Sequence, residues 1–502
     1  MLSRKQHIEN LRKQADQGYT WDLIVIGGGA TGLGSAVDAA SRGLKVLLLE
    51  AHDFAKGTSS RATKLAHGGV RYLAQGNIGL VREALEERGR MLRNAPNLVK
   101  PMPFVIPVRN WFQKMLYWMG LKAYEWLSGK LSVGPTTLMS RAEVLRVLPT
   151  INDKKLAGGV RYFDAQFDDA RLAIALMKTL HVLKGMAVNY MPVTGFVKEG
   201  GKVCGVVAKD EWTAQLFTLR ANAVVNATGV WVDQLRGLDN PASKPMLSPS
   251  QGVHVVVGPE FYPAQEAMLV PKTSDGRVLF VVPWLGKTLI GTTDTPREDT
   301  PWEPSALPEE IDFILSTAGQ YLAKAPTKAD VRSVFVGLRP LVKAGGGGGT
   351  QSTKSISREH TIITDPSGLV TITGGKWTTY RSMAEEVIDL ICAQQGWQNK
   401  PTRTRNLRLE DDLPVRKPGS KLHPSLELNE AEIAQAVLEE MAVTIEDVLA
   451  RRSRALFLDS EAALACVPEV RRVLANELNH SEALLDVQEQ AFRALVAKYR
   501  VQ

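Results

Sequence analysis

Cysteine is scarce in this chain. Cys204, Cys392 and Cys466 are the only three in 502 residues, and they lie far apart with no CxxC spacing. That excludes a disulfide framework and a cysteine-built zinc cluster, points to no metal, and suits a reducing compartment. Long hydrophobic runs are missing too. No stretch of about 18 uncharged apolar residues occurs, so nothing is expected to span a bilayer. Met1–Gln17 is charged throughout and has no apolar centre, so it reads as a short polar helix or frayed lead-in rather than a secretory signal. No fixed-period repeat is found, and glycine almost vanishes beyond about residue 417.

What is present is an ordinary folded composition, 44% hydrophobic and 23% charged, long enough for two or three domains. The net charge of +8 suits nucleic acid, an anionic membrane face or a phosphorylated substrate, and charge alone does not choose among them.

The first strong local signal is Trp21–Ile26, a mostly apolar run ending in glycines. A small-residue helix over Thr31–Arg42 and a second buried strand over Leu44–Leu49 follow, which makes a βαβ unit. Between strand and helix, Gly27-Gly28-Gly29-Ala30-Thr31-Gly32 fits GxGxxG. Gly27 permits the tight turn, Gly29 lets a pyrophosphate approach the backbone, and Gly32 lets helix pack on strand. The helix N-terminus offers free N–H groups to phosphate. Glu50 ends the second strand, where a carboxylate can accept hydrogen bonds from a ribose diol and disfavours a 2′-phosphate. FAD and NAD both fit this device.

Three later segments narrow the choice. Gly57-Thr-Ser-Ser-Arg-Ala-Thr-Lys-Leu-Ala-His-Gly-Gly-Val-Arg-Tyr72 is dense in hydroxyls, glycines and cations. Val225-Asn-Ala-Thr-Gly-Val-Trp231 is a strand ending in an Ala-Thr-Gly turn. Thr373-Gly-Gly-Lys-Trp-Thr-Thr-Tyr-Arg381 carries an apolar strand through two glycines into a helix. With Gly291-Thr-Thr-Asp294 and Gly337-Leu-Arg-Pro-Leu341, these resemble the respiratory FAD-dependent glycerol-3-phosphate dehydrogenases from about Trp21 to Tyr380, and the helical tail resembles that family's C-terminal domain.

The resemblance implies an α/β fold with three parts. A Rossmann-like FAD-binding domain of the glutathione-reductase/amino-acid-oxidase type would be assembled from 20–105, 155–240 and 340–397. A mixed-sheet substrate domain would come from 106–154 and 241–339. A separate helical C-terminal domain would occupy 398–502, after a lead-in over 1–19. It implies noncovalent FAD held by Gly27, Gly29, Gly32, Glu50, Ser59, Ser60, Lys64, Leu65, His67, Gly69, Ala227, Gly229, Gly374, Gly375 and Thr378. Arg71, Arg339 and Lys376 match the family's active-site cations, and Tyr72 is a further substrate contact or a packing residue. His254, on an apolar strand, is either a core residue or the general base. Asp294 either caps its own turn or orients His254 or an arginine.

The implied substrate is glycerol 3-phosphate, the product dihydroxyacetone phosphate and the electron acceptor a membrane quinone. The implied location is the cytoplasm, peripherally on the anionic inner face of the cell membrane. A homodimer is compatible, and nucleic acid is not an expected partner. Trp111–Leu127 places Phe112, Met115, Leu116, Met119, Ala123, Trp126 and Leu127 on one helical face bordered by Arg109, Lys114, Lys122 and Lys130. That pattern fits an interfacial membrane helix or a core-facing helix. Gly345–Gly349 reads as a loop or flap. Arg451-Arg452-Ser453-Arg454 is the one patch resembling a nucleic-acid footprint, and it reads more simply as a basic helix end. The rival functions are a glycerophosphate oxidase using oxygen and an amine or amino-acid oxidase.

Overall fold

The computed structural model describes residues 3–69, 76–271, 273, 276–343, 360–413 and 421–501. Two sheets organise it. In the first, the strands run in the spatial order His360–Thr364, Val370–Gly374, Leu216–Asn226, Thr20–Ile26, Val46–Leu49, Met186–Val188. The strands from Val370–Gly374 to Met186–Val188 are mutually parallel, with Leu23 opposite both Ala223 and Val46. Val46–Leu49 is buried throughout, Val46 and Leu48 packing with Leu33 and Val37 of the helix Ala30–Ser41 and Leu47 and Leu49 with Val206, Phe217 and Leu11. The helix Ala30–Ser41 packs closely on the helix Tyr380–Gln394, because a Cβ on Gly34 would stand 2.8 Å from the Tyr380 ring.

The second sheet has ten strands. Near one edge Ser250–Val257 is flanked by Lys287–Gly291 on one side and Val331–Arg339 on the other. It is mixed, since Ala267–Val270 runs parallel to Val99–Val108. Val99–Val108 and Gly158–Phe167 pair along their whole length, from Val99↔Phe167 to Val108↔Gly158. Most of their residues had been grouped by sequence with the nucleotide-binding lobe. Their long antiparallel pairing and the short Leu65–Ala66 strand on Gly158–Phe167 place them in the second sheet instead.

At the N-terminus the helical alternative holds. The lead-in is a docked helix, Arg4–Asp16, closed by a Ser3/Gln6 capping box, with Ile8 and Leu11 buried and Arg4 bonded to Asp210 at 2.6 Å. The C-terminal helices pack against the second sheet. Ile433, Leu449, Phe457, Val470 and Phe492 share one apolar core with Tyr162, Trp284 and Phe335 of the second sheet. The Val334 N–H donates to the Tyr499 carbonyl at 2.7 Å, and the Ser333 hydroxyl donates to the Leu456 carbonyl at 2.8 Å. The helices themselves start where local chemistry requires: Asn429 and Glu432 form a capping box, and Pro468 sits in the first turn of Val467–Leu478.

Candidate active site

The glycine turn lies at the carboxyl ends of the parallel strands, where open α/β sheets bind ligands. Gly27 takes φ +112°, and a Cβ there would stand 2.6 Å from the Ala227 carbonyl oxygen. A Cβ on Gly32 would lie 1.9 Å from the Gly27 oxygen, so only glycine allows helix and turn to meet. Gly29 is the N-cap of Ala30–Ser41, and the Ala30 N–H donates to Ser59 Oγ at 2.9 Å. The Glu50 carboxylate accepts from the Gly28 N–H at 2.6 Å and the His52 N–H at 2.8 Å. It therefore clamps the turn while keeping lone pairs for a diol. Burial pushes its carboxyl above the usual range, although these two N–H donors oppose that.

The segments 57–69 and 374–379 close on each other beside this turn. Trp377 Nε1 donates to the Ser59 carbonyl at 3.0 Å, and the His67 N–H donates to Thr378 Oγ1 at 3.3 Å. Gly229, at φ +62°, has its carbonyl bonded by Thr373 Oγ1 at 3.0 Å, which joins the Ala227–Gly229 turn to the same assembly. Gly69, Gly374 and Gly375 all take positive φ. Leu65 pairs with Gln166 at the edge of the second sheet. Lys376 is half-buried at the start of the short helical turn Trp377–Thr379.

On the second sheet the end of Val331–Arg339 pairs with the start of Ser250–Val257, Arg339 opposite Ser250. The Arg339 guanidinium folds back along that strand. It donates to the Gln251 carbonyl at 3.2 Å, to Asp294 at 3.2 Å, to Thr292 Oγ1 at 3.3 Å and to the Thr293 carbonyl at 3.0 Å. Asp294 also accepts from the Ser250 hydroxyl, so it orients the arginine and not His254. Gly252 makes room for this. A Cβ there would stand 2.4 Å from Arg339 Nη2. A side chain at this position would push the guanidinium off these acceptors.

His254 lies one step further along the same face. Its ring stacks on Phe335 at 4.8 Å, and Nε2 is 2.9 Å from Thr63 Oγ1. Burial, reinforced by the charges of Lys64 and Arg339, holds it well below its usual pKa, so the ring is neutral. Gly291 leaves the space for that ring, since a Cβ there would come within 2.3 Å of His254 Cδ2.

Lys64 turns its ammonium into the joint between the lobes. Nζ donates to Asp169 at 2.8 and 2.9 Å and to the Ser60 carbonyl at 2.8 Å, between the rings of Trp284, Phe335 and Phe457. Arg454 reaches the same acceptors, bonding the Ser60 carbonyl at 2.7 Å and Asp169 at 3.2 Å. Arg451 and Arg452 both pair with Asp53, just after the second strand of the nucleotide unit. Burial alone would raise the Asp53 carboxyl, but Arg452 and Arg451 outweigh it and hold it at about 2. The arginine cluster is thus no basic surface patch. All three side chains are buried and tie the C-terminal helices to both sheets.

Arg71, Tyr72 and Gly345–Gly349 lie outside the described residues. Thr63, Gly252, Asp53 and Asp169 were not singled out by sequence. Thr63 stood inside a hydroxyl-rich segment, whereas Asp169 lies in the first turn of the helix Asp169–Val182, where an acid is ordinary.

The family described as FAD dependent oxidoreductase matches residues 22–387, and the family described as C-terminal domain of alpha-glycerophosphate oxidase matches 377–484. The mitochondrial glycerol-3-phosphate dehydrogenase of Mus musculus is 37% identical over 92% of this chain and 71% of its own length. The probable mitochondrial glycerol-3-phosphate dehydrogenase of Caenorhabditis elegans is 37% identical over 96% of this chain and 73% of its own. The crystal structure of the glycerol-3-phosphate dehydrogenase from Bacillus halodurans complexed with FAD superposes with a TM-score of 0.80 at 30% identity, covering 99% of this chain and 98% of that one.

Proposed function

The chain belongs to the FAD-dependent glycerol-3-phosphate dehydrogenases, and from that premise we propose how its residues divide the work and where its electrons go. The reaction oxidises the secondary alcohol of sn-glycerol 3-phosphate to the ketone of dihydroxyacetone phosphate. When bound, FAD supplies the acceptor for the hydride leaving the carbinol carbon. The glycine cradle fits that group: Gly27 and Gly32 could carry no Cβ, and Glu50 is set at the strand end. Gly27, Gly29 and the N–H groups of the following helix hold the pyrophosphate, and Glu50 holds the ribose diol. The joined segments carrying Ser59, Ser60, Leu65, His67, Gly69, Gly374, Gly375 and Thr378, with Ala227 and Gly229, line the rest of the cofactor. Lys64 serves that site through its backbone, because its side chain is committed to Asp169.

The observation that carries the substrate assignment is the Arg339 guanidinium, fixed by Asp294 yet still partly exposed at 22%. With Arg71 and Lys376 it neutralises the substrate phosphate and the charge that grows on the alcohol oxygen. His254 takes the hydroxyl proton. Thr63 Oγ1, bonded to its Nε2, is the relay for that proton, and since burial and the charges of Lys64 and Arg339 disfavour the protonated ring, the proton is passed on rather than held there. The purified protein should be yellow and should bleach under anaerobic conditions on adding glycerol 3-phosphate. A flavin that stays oxidised would end the substrate assignment.

For the electrons we favour a membrane quinone over oxygen, and the helix Trp111–Ser128 supports this. Its inner side is core, with Leu121 and Tyr124 buried and Trp118 packed against them. Its outer side stays apolar. Trp111 and Phe112 are 71% exposed, Trp126 is 81%, and Leu116 and Met119 exceed half. Such a face, with Lys114 and Lys122 nearby, suits a helix lying in the surface of an anionic bilayer. Among the described residues no helix is long and apolar enough to cross one. Changing Trp111, Phe112 and Trp126 together to Ser should abolish flotation with anionic liposomes. Wild-type flotation by that variant would return the helix to an ordinary surface role. Measuring oxygen uptake against reduction of a soluble quinone decides between dehydrogenase and oxidase.

A further inference from the structure

A cavity of about 730 Å³ opens at the end of the first sheet opposite the glycine turn. It lies where Thr20–Ile26, Val46–Leu49 and Met186–Val188 begin, so the length of a seven-residue strand, roughly 20 Å, separates it from the dinucleotide turn. Its size falls in the range of about 300–1,000 Å³ typical of small-molecule sites. It belongs to none of the chemistry described above.

Its walls are unusual in two respects. First, they hold buried polar atoms with no protein partner. His7 is only 4% exposed, and neither ring nitrogen finds a hydrogen bond. His181 stacks on it at 4.5 Å with 26° between the planes. Its Nε2 accepts from the Ala187 N–H, while Nδ1 has no partner. Gln14 Oε1 is likewise buried and unsatisfied. An unsatisfied buried polar atom costs about 1–3 kcal/mol, and such atoms in native proteins ordinarily have a partner in protein, water or ligand. Four such atoms belong to residues lining this one cavity, just behind its surface, where a small side-chain rotation presents them to a polar ligand.

Second, the wall is cationic and flat-sided. Lys45, Lys178 and Lys184 line it against the single carboxylate of Glu410, and the rings of Tyr19 and Trp21 join the two imidazoles. Lys45 stands 5.3 Å from the centre of the Tyr19 ring. Ammonium groups favour a phosphate as point charges, and a ring-lined wall favours a planar body.

We propose that this cavity is a second small-molecule site, for a phosphorylated heteroaromatic ligand of mononucleotide size, distinct from the dinucleotide site. The lysines take the phosphate. The imidazole pair and Gln14 meet the polar edge of the ring system.

The test uses the FAD-loaded enzyme, so that the dinucleotide site is filled, and titrates AMP, adenosine and inorganic phosphate by calorimetry, with thermal denaturation as a second readout. AMP should bind and raise Tm. The double variant Lys45→Gln/Lys184→Gln, whose side chains are exposed, should weaken AMP at least about tenfold with flavin content and kcat unchanged. His7→Phe, which keeps a flat ring and removes both nitrogens, should weaken AMP and adenosine alike. Absence of AMP binding, or binding indifferent to both variants, would overturn the proposal. Inorganic phosphate binding as tightly as AMP would overturn the heteroaromatic part of it.

Discussion

Replacing Arg339 with alanine is expected to lower kcat/KM for glycerol 3-phosphate by about 10²- to 10³-fold, the usual loss when one preorganised donor to a developing charge is removed. The flavin should stay bound, because Arg339 belongs to the second sheet, where it bonds Gln251, Thr292, Thr293 and Asp294. Its position is held from four directions, and Gly252 gives it the space. In the proposed role the guanidinium would meet the substrate already oriented, with little reorganisation left to the reaction. Arg339→Lys should fall between wild type and alanine, keeping the charge but losing the planar fork. Steady-state kinetics beside the flavin spectrum check both variants. Turnover within about twofold of wild type in the alanine variant would remove Arg339 from the site.

Asp169→Ala should produce the largest loss of stability. Asp169 is fully buried and accepts from Lys64 and Arg454, which are equally buried. Without it Lys64 loses its carboxylate among the rings of Trp284, Phe335 and Phe457, and Arg454 keeps only the longer contact to Asp168 at 3.6 Å. Removing one partner of a buried ion pair costs about 3–5 kcal/mol, which is a large part of the folding free energy of most domains. Denaturant unfolding followed by flavin release should show that shift, and a loss below about 1 kcal/mol would refute the role given to this cluster.

The same cluster carries a pH signature. Burial pushes the Lys64 ammonium down to about 7, with Arg454 adding to this and Asp169 opposing it. The unfolded chain then holds that proton more tightly than the native one, so this group makes stability rise with pH from about 7 towards its ordinary value of 10.5. Asp53 works in the opposite region. Its carboxyl is held at about 2, so the stability it adds is complete above the unfolded carboxylate range, near 4, and fades as pH falls through about 2.

The glycine turn was legible because its determinants are local. A strand, three glycines, a small-residue helix and a carboxylate at Glu50 lie within one short stretch, and each answers to backbone sterics or a helix end. The C-terminal helices were legible for the same reason, through the Asn429/Glu432 box and Pro468. The Arg339 and Lys376 motifs and the family stood out by their residue strings. What those arginines and lysines bind is a different matter. Lys64 and Arg454 look alike in sequence to any exposed cation, and Asp169 to any acid in the first turn of a helix.

The sequence by itself determined the nucleotide unit, the chemistry class and the helical tail, since capping, turn conformation and hydrophobic period act over a few residues. Only the tertiary structure decided that Val99–Val108 and Gly158–Phe167 belong to the second sheet and that Arg451, Arg452 and Arg454 fasten the tail to both lobes. It also set Asp294 on Arg339 rather than on His254. Strand partners and ion-pair partners are chosen by which distant segments meet in the core. A charged side chain carries the same charge wherever it ends up, so its sequence neighbourhood does not name its partner.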